Sequence, residues 1–307
     1  MPAADLMFPS NCRGASLVEL LLVMVITGVI AALFALFLTN PMRGYLDLSR
    51  RATLVDATEG TLRRMARDIR IALPNSIRIT NNPAGVPGFA LELIPTVDGG
   101  RYCSAGVANC AAAAQWLDIP GPDTDFDILG CFRDAAFIAA AGAGTSAYRL
   151  VVNNPGNAVY DGSVSVITTA GTTLTLSVNP GPGACPGAGN HHLRLNPGMS
   201  FASHSPRQRA FVVPVARSAV TYLCNTTAGT LELYEGYGIA AAQPLDPAAA
   251  PLSSVTGRRV ADNVVACSAT TTSANVIERG IVTLDLSIGA GGETIRLLNQ
   301  VQLDNSP

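Results

Sequence analysis

Between Leu20 and Met42 the chain runs for 23 residues without a charge, LLLVMVITGVIAALFALFLTNPM. At 1.5 Å per residue a helix of that length reaches about 34 Å, enough to cross a hydrocarbon layer of about 30 Å. The run is apolar on every face, so it lacks the polar stripe that a helix at the edge of a soluble core presents to water. A single membrane span is therefore expected, since the rest of the sequence holds no second run of this kind. The balance of 20 basic against 22 acidic residues gives no overall pull toward nucleic acid or anionic lipid, and no nucleic-acid partner is expected. All the basic residues are arginine, which excludes a lysine Schiff base and a phosphate-loop lysine.

A secretory signal would place its cut after the apolar run. Here the distinctive residues come before it: Cys12-Arg13-Gly14, then Ala15-Ser16-Leu17-Val18-Glu19-Leu20. An unpaired carboxylate one turn inside a membrane costs roughly 2.5–3.5 kcal/mol, so Glu19 either reaches the headgroups or has a cationic partner. The segment from Arg13 through the apolar run resembles the class III leader of type IV pilins and type II secretion pseudopilins. The resemblance implies cleavage by a prepilin peptidase between Gly14 and Ala15, N-methylation of Ala15, and pairing of Glu19 with the N-terminal ammonium of a neighbouring subunit during filament assembly. Such a pair is strongest in apolar surroundings. Two departures from the family pattern stand out. Ala15 replaces the usual phenylalanine, and Leu36 sits where many members carry a proline, the first proline of the span being Pro41.

Gly28 occupies a position where such helices loosen, and with Ala32 it makes a small-xxx-small pair that permits close helix approach. A lipid-facing glycine explains it equally well. Basic residues near the span, Arg13 before it and Arg43, Arg50 and Arg51 after it, favour the opposite orientation to a pilin. The leader and the cysteines carry the orientation instead: the resemblance implies a bacterial inner-membrane protein, single-pass, with its head in the periplasm and then in a pilus or pseudopilus.

After the span, Leu48, Ala52, Val55, Leu62, Met65, Ile69 and Leu73 recur at helical spacing, with nine charged residues between them. Pro74 then stops the helix, because its preceding residue is driven out of the helical region. The basic side of this stretch reads as a solvated face meeting acidic neighbours. Beyond Asn75 the pattern turns to strands. Period-2 alternation marks Leu174–Val178, Leu231–Leu233, Val282–Ile288 and Ile295–Leu297 with Val301–Leu303, with a hairpin loop at Gly289–Gly292. Less regular runs lie at Ile77–Ile79, Phe89–Ile94, Tyr148–Val152, Val164–Ile167, Phe211–Val215 and Val220–Leu223, and long turn-rich stretches at Pro95–Asp125 and Asn179–Pro206. The expected fold is α+β, a long N-terminal helix packed on an antiparallel β-rich head. Its parts are a leader (1–14), a transmembrane helix (15–42), an amphipathic stalk (43–73) and the head (74–307).

Removal of the leader takes Cys12 with it and leaves Cys103, Cys110, Cys131, Cys185, Cys224 and Cys267, read as disulfides of an oxidising compartment. Fifteen pairings are possible. Cys103–Cys110 would close a small loop, Cys224–Cys267 would tie a strand to the segment before the last hairpin, and Cys131–Cys185 remains by elimination; spacing favours only the first. No C-x-x-C is present, so zinc is not expected. His191, His192 and His204 fall in a Gly/Pro/Asn/Ser-rich stretch and read as solvated. Asp123, Asp125 and Asp127 have the one-three-five spacing of a calcium loop, but Ile128 stands where the loop needs glycine and Asp134 where it needs glutamate, so an exposed acidic loop is the simpler reading. No catalytic arrangement or cofactor site stands out, and a non-enzymatic role is expected.

The C-terminal segments Arg258–Cys267, Arg279–Leu284 and Leu298–Pro307 resemble those of MshO-type minor pilins of MSHA pilus systems, chiefly in Ala261-Asp262-Asn263-Val264 before Cys267 and in the ending Asn305-Ser306-Pro307. This resemblance implies assembly with other pilin subunits through the N-terminal helix, driven by a platform protein and an ATPase from the inner membrane. The minor pseudopilin J of type II secretion shares the long helix and β-rich head. From another class, a membrane-anchored adhesin or enzyme using a pilin-like signal fits the same anchor.

Overall fold

The computed structural model describes residues 16–106, 110, 116–119, 121–180, 185, 189–272 and 280–303. The apolar run and the amphipathic segment after it form one helix, α1 (Leu17–Arg70). The chain then continues as β1 (Arg78–Asn81), β2 (Gly88–Leu93), β3 (Asp98–Tyr102), β4 (Asp123–Leu129), α2 (Ala135–Gly142), β5 (Tyr148–Val152), α3 (Ala158–Asp161) and β6 (Thr173–Pro180). The remaining strands are β7 (Gly189–Met199), β8 (Arg209–Pro214), β9 (Val220–Asn225), β10 (Thr230–Glu235), β11 (Arg258–Asp262), β12 (Val264–Thr272), β13 (Ile281–Ala290) and β14 (Glu293–Gln302). They make three antiparallel sheets, ordered β1-β2-β9-β10-β11, β12-β13-β14 and β5-β8-β3-β4-β7-β6. The fold is α+β with a β-rich head. Two units divide the chain, residues 1–53 and 54–307.

Within the second unit, Leu54, Leu62, Met65, Ala66 and Ile69 of α1 are buried in one core with both smaller sheets. Period-2 alternation aims Phe89, Leu91 and Leu93 of β2, Leu231 and Leu233 of β10, and Val282, Leu284, Leu286 and Ile288 of β13 into that core. Two threonines lie on the buried side of α1 as well. Their hydroxyls donate to carbonyls one turn back, Thr58 to Leu54 (2.7 Å) and Thr61 to Ala57 (2.8 Å), so neither is orphaned. A second core lies on one face of the six-stranded sheet, where Phe126, Ile128, Leu150, Leu193 and Val212 meet Phe137 of α2. The Asp134 carboxylate caps α2 by accepting the Phe137 N–H at 2.7 Å. Val151 and Val213 point to the opposite face and pack with Leu73, Ile94, Val159 and Tyr160.

Several expectations change. The helix ends at Arg70 rather than Leu73, because the chain there joins the sheet: the Leu73 N–H donates to Ile94 (2.7 Å) and the Thr96 N–H to Ile71 (2.9 Å). The buried stripe matches expectation from Leu62 onward, but Leu48 and Ala52 are exposed and Val55 is half-buried, their places in the pattern being taken by Leu54 and Thr58. The turn-rich stretches contain β3 and β7, whose Gly, Asn and Pro content masks the alternation. Val164–Ile167 forms no strand, only a bridge from Ile167 to Val151.

Candidate membrane and processing segment

Leu17–Ala35 is long and apolar enough to cross a membrane, at mean hydropathy 2.7 over 19 residues, about 28 Å of helix. Its large side chains are exposed all round, among them Leu17, Leu21, Val25, Val29 and Leu33. The one hydroxyl donor in its middle, Thr27, is satisfied within the helix by the Val23 carbonyl at 2.7 Å. These features fit a membrane-anchored, single-pass topology. Gly14 and Ala15 lie outside the described residues. The first backbone bond of α1 runs from the Leu20 N–H to the Ser16 carbonyl (3.1 Å), and Glu19 sits in the first turn, exposed. A negative side chain there complements the positive end of the helix dipole. At Gly28 an added Cβ would meet nothing within 4 Å, and Ala32 one turn later is also exposed, so this face is open to close approach by another helix.

The three aspartates and two of the histidines take positions that differ from those expected, whereas His204 lies exposed in a loop as expected. Asp123, Asp125 and Asp127 lie on strand β4, not in an acidic loop. Asp123 accepts the backbone N–H groups of Asp118 (2.7 Å) and Asp125 (3.1 Å), and burial raises its carboxyl above the ordinary 3.8. Asp127 is fully buried and accepts from His192 Nδ1 at 2.7 Å, while Asp125 faces Arg194 at 3.7 Å. His191 and His192 belong to β7 rather than to a solvated loop. His191 Nδ1 accepts the Phe132 N–H at 3.0 Å, and burial lowers its pKa from 6.5. His204 stacks on Tyr102 with ring centres 5.9 Å apart, and burial pushes the Tyr102 hydroxyl up to about 12.

The cysteines pair as Cys103–Cys110, Cys131–Cys185 and Cys224–Cys267. His191 lies beside Cys131 and Cys185, their ligand atoms within 4.8 Å, but sulfurs joined in a disulfide have no thiolate to offer a metal. Cys224–Cys267 clasps β9 of the five-stranded sheet to β12 of the three-stranded one.

Two buried polar clusters join residues that no sequence motif had brought together. Glu92, fully buried on β2, accepts from Arg78 Nε (2.8 Å) and Tyr237 (2.9 Å), and Arg78 lies 3.6 Å over the Tyr160 ring. Desolvation raises the Glu92 carboxyl despite the neighbouring guanidinium. Asp68, buried on α1, accepts from Arg217 (2.8 Å) and Tyr222 (2.9 Å), and Arg217 also reaches Glu235 at 2.7 Å. The signal for Asp68 was its place on the buried side of α1 between Met65 and Ile69. A carboxylate there needs partners from the sheet.

Residues 9–35 match the family model described as the prokaryotic N-terminal methylation motif. That motif is the signal of type IV pilin-like and pseudopilin precursors in general, and it implies processing by prepilin peptidase and assembly with such machinery. No curated protein and no solved structure matches this chain.

Proposed function

We propose that this chain is a non-enzymatic minor pilin of an MSHA-type pilus, similar to the MshO-type subunits. Prepilin peptidase removes residues 1–14, and α1 holds the subunit in the inner membrane with the β-rich head in the periplasm. The assembly platform and its ATPase then pack α1 among the helices of other subunits. The observation that carries the reading is the coincidence of the methylation motif with an apolar helix carrying Glu19 in its first turn. The Ala261–Val264 element supports the narrower assignment. It spans the junction of β11 and β12, where Asn263 adopts a left-handed φ of 57°, ahead of the disulfide-bonded Cys267. The test replaces Glu19 by alanine in cells that assemble the filament. Stranding a buried ammonium costs roughly 3–5 kcal/mol, so incorporation into sheared filaments should drop at least about tenfold. Unchanged incorporation removes the role assigned to Glu19.

A further inference from the structure

The three sheets have six edge strands, and exposed edges are templates for pairing that folded proteins blunt with shortness, charge, proline, bulges or cover. Five of the six are short, bulged, covered or densely charged. β1 is four residues long, and its Arg78 carbonyl accepts from Gln243 Nε2 at 3.3 Å. β11 carries three charges in five residues, and its pairing with β10 is irregular at Leu231/Glu232. β12 is bulged at Val264/Ala266 and clasped to β9 by the disulfide. β5 is covered by 166–168, through Val152 N–H to Val166 (2.8 Å) and Thr168 N–H to Leu150 (2.9 Å). β6 is covered by Thr145, which exchanges two hydrogen bonds with Leu174, and ends at Pro180. β14 is the least protected: its two charges, Glu293 and Arg296, lie in its first four residues, and among the described residues it has no bulge, proline or covering segment. It pairs with β13 over its full length without a register shift, and Leu297–Gln302 (LLNQVQ) has no charge and no proline.

Its free side can be deduced. The Leu303 N–H donates to the Gly280 carbonyl, and Gln302 stands opposite Ile281, so Leu303, Val301, Asn299, Leu297 and Ile295 turn their backbone groups toward β13. Thr294, Arg296, Leu298, Gln300 and Gln302 therefore turn theirs outward, where they have no backbone partner among the described residues. Leu298 is also 59% exposed, alone among the large apolar side chains of β14 in being so open.

We propose that this edge is an interface for a second copy of the chain, with two β14 strands pairing antiparallel about a two-fold axis at Leu298. This centre sets Leu298 against its copy, Arg296 opposite Gln300 and Thr294 opposite Gln302 of the second copy. All the outward N–H and C=O groups of these residues then find partners, and the two three-stranded sheets become one of six strands. The exposed leucine is covered by its own copy, as a closed isologous contact requires. The two Arg296 guanidiniums stand four residues apart along the strand direction, about 13 Å, beyond the reach of strong repulsion at physiological salt. A centre at Arg296 would set like charges face to face, and a centre at Gln300 would leave Leu298 without its copy. The leucine-centred register pairs the whole of 294–302.

The test uses the full chain in detergent micelles, with mass measured across micromolar concentrations. A dimer is expected. Gln300→Pro removes an N–H that points away from β13, so the internal ladder survives while the outer pairing is lost. Leu298→Lys puts two ammonium groups opposite each other at the axis. Each variant should raise the dimer dissociation constant at least about tenfold, because several mutually dependent hydrogen bonds are lost together. Unchanged circular dichroism and intact disulfides would establish that both remain folded. A chain that stays monomeric, or a dimer indifferent to both substitutions, overturns the proposal. So does a chain monomeric by itself whose β14 instead captures a different filament subunit.

Discussion

Asp68 is the point at which α1 is fastened to the head by charge, and replacing it with alanine should be strongly destabilising. The carboxylate accepts from Tyr222, whose side chain is fully buried, and from Arg217, whose side chain is 31% exposed. Losing a hydrogen bond to a charged acceptor and leaving the hydroxyl proton without a partner costs about 2 kcal/mol at Tyr222. Arg217 keeps Glu235 and is partly solvated, so its loss adds only about 0.5–1 kcal/mol. The expected destabilisation of Asp68→Ala is therefore about 3 kcal/mol. Tyr222→Phe removes the stranded group along with its bond and should cost about 1 kcal/mol. The double variant should then be less destabilised than the sum of the two by about 1–2 kcal/mol. Urea unfolding of the full chain in micelles, followed by circular dichroism, gives these values. A cost below about 0.5 kcal/mol for Asp68→Ala, or strict additivity with Tyr222→Phe, would refute the reasoning that a buried hydroxyl depends on this carboxylate.

Chain-entropy estimates rank the disulfides by the loops they close. Replacing both cysteines of Cys224–Cys267 (separation 43) or of Cys131–Cys185 (separation 54) by serine should cost about 4 kcal/mol, against about 2.4 for Cys103–Cys110 (separation 7). Unfolding midpoints of the three double variants check the order, and equal losses would contradict it. Because burial raises the Glu92 carboxyl above 4.5, the native state holds that proton at a pH where the unfolded chain has released it. The group's contribution is therefore full below pH 4.5 and lost as pH rises through the folded value. The stability difference between the wild type and Glu92→Gln should accordingly shrink with rising pH in urea titrations from pH 4 upward. A growing difference would show that pairing with Arg78 outweighs burial.

How much was legible can be followed residue by residue. The membrane helix and the methylation signal were readable because both rest on local, contiguous patterns: an uninterrupted apolar run and fixed spacing from Gly14 to Glu19. The β13–β14 hairpin was equally plain, since Val282 to Ile288 alternate without interruption and Ile295-Leu297 and Val301-Leu303 alternate on the far side of the glycine turn. The strands that escaped notice have mixed patterns. β4 puts three aspartates on a strand because each finds a hydrogen-bonding or ionic partner, and β7 carries two histidines between Asn190 and Leu193. Their alternation exists only once the partner strand supplies Asp127 for His192 and the segment after that strand supplies the Phe132 N–H for His191. Non-local partners of this kind are invisible to periodicity. The same holds for Asp68 and Tyr222, 154 residues apart, and for Arg78 and the loop carbonyl of Ala241. The place of the helix end had a further cause, as competition from backbone pairing at Leu73 preceded the block set by Pro74.

The central claim is that the N-terminal segment is a processed assembly signal rather than a permanent anchor. The most direct measurement is intact and N-terminal peptide mass of the protein extracted from membranes of cells with active prepilin peptidase. The expected product begins at Ala15, lacks residues 1–14 and carries a methyl group on its amino nitrogen, and it reverts to the full-length chain when the peptidase is deleted. A protein that keeps residues 1–14 while the peptidase is active would contradict the pilin reading.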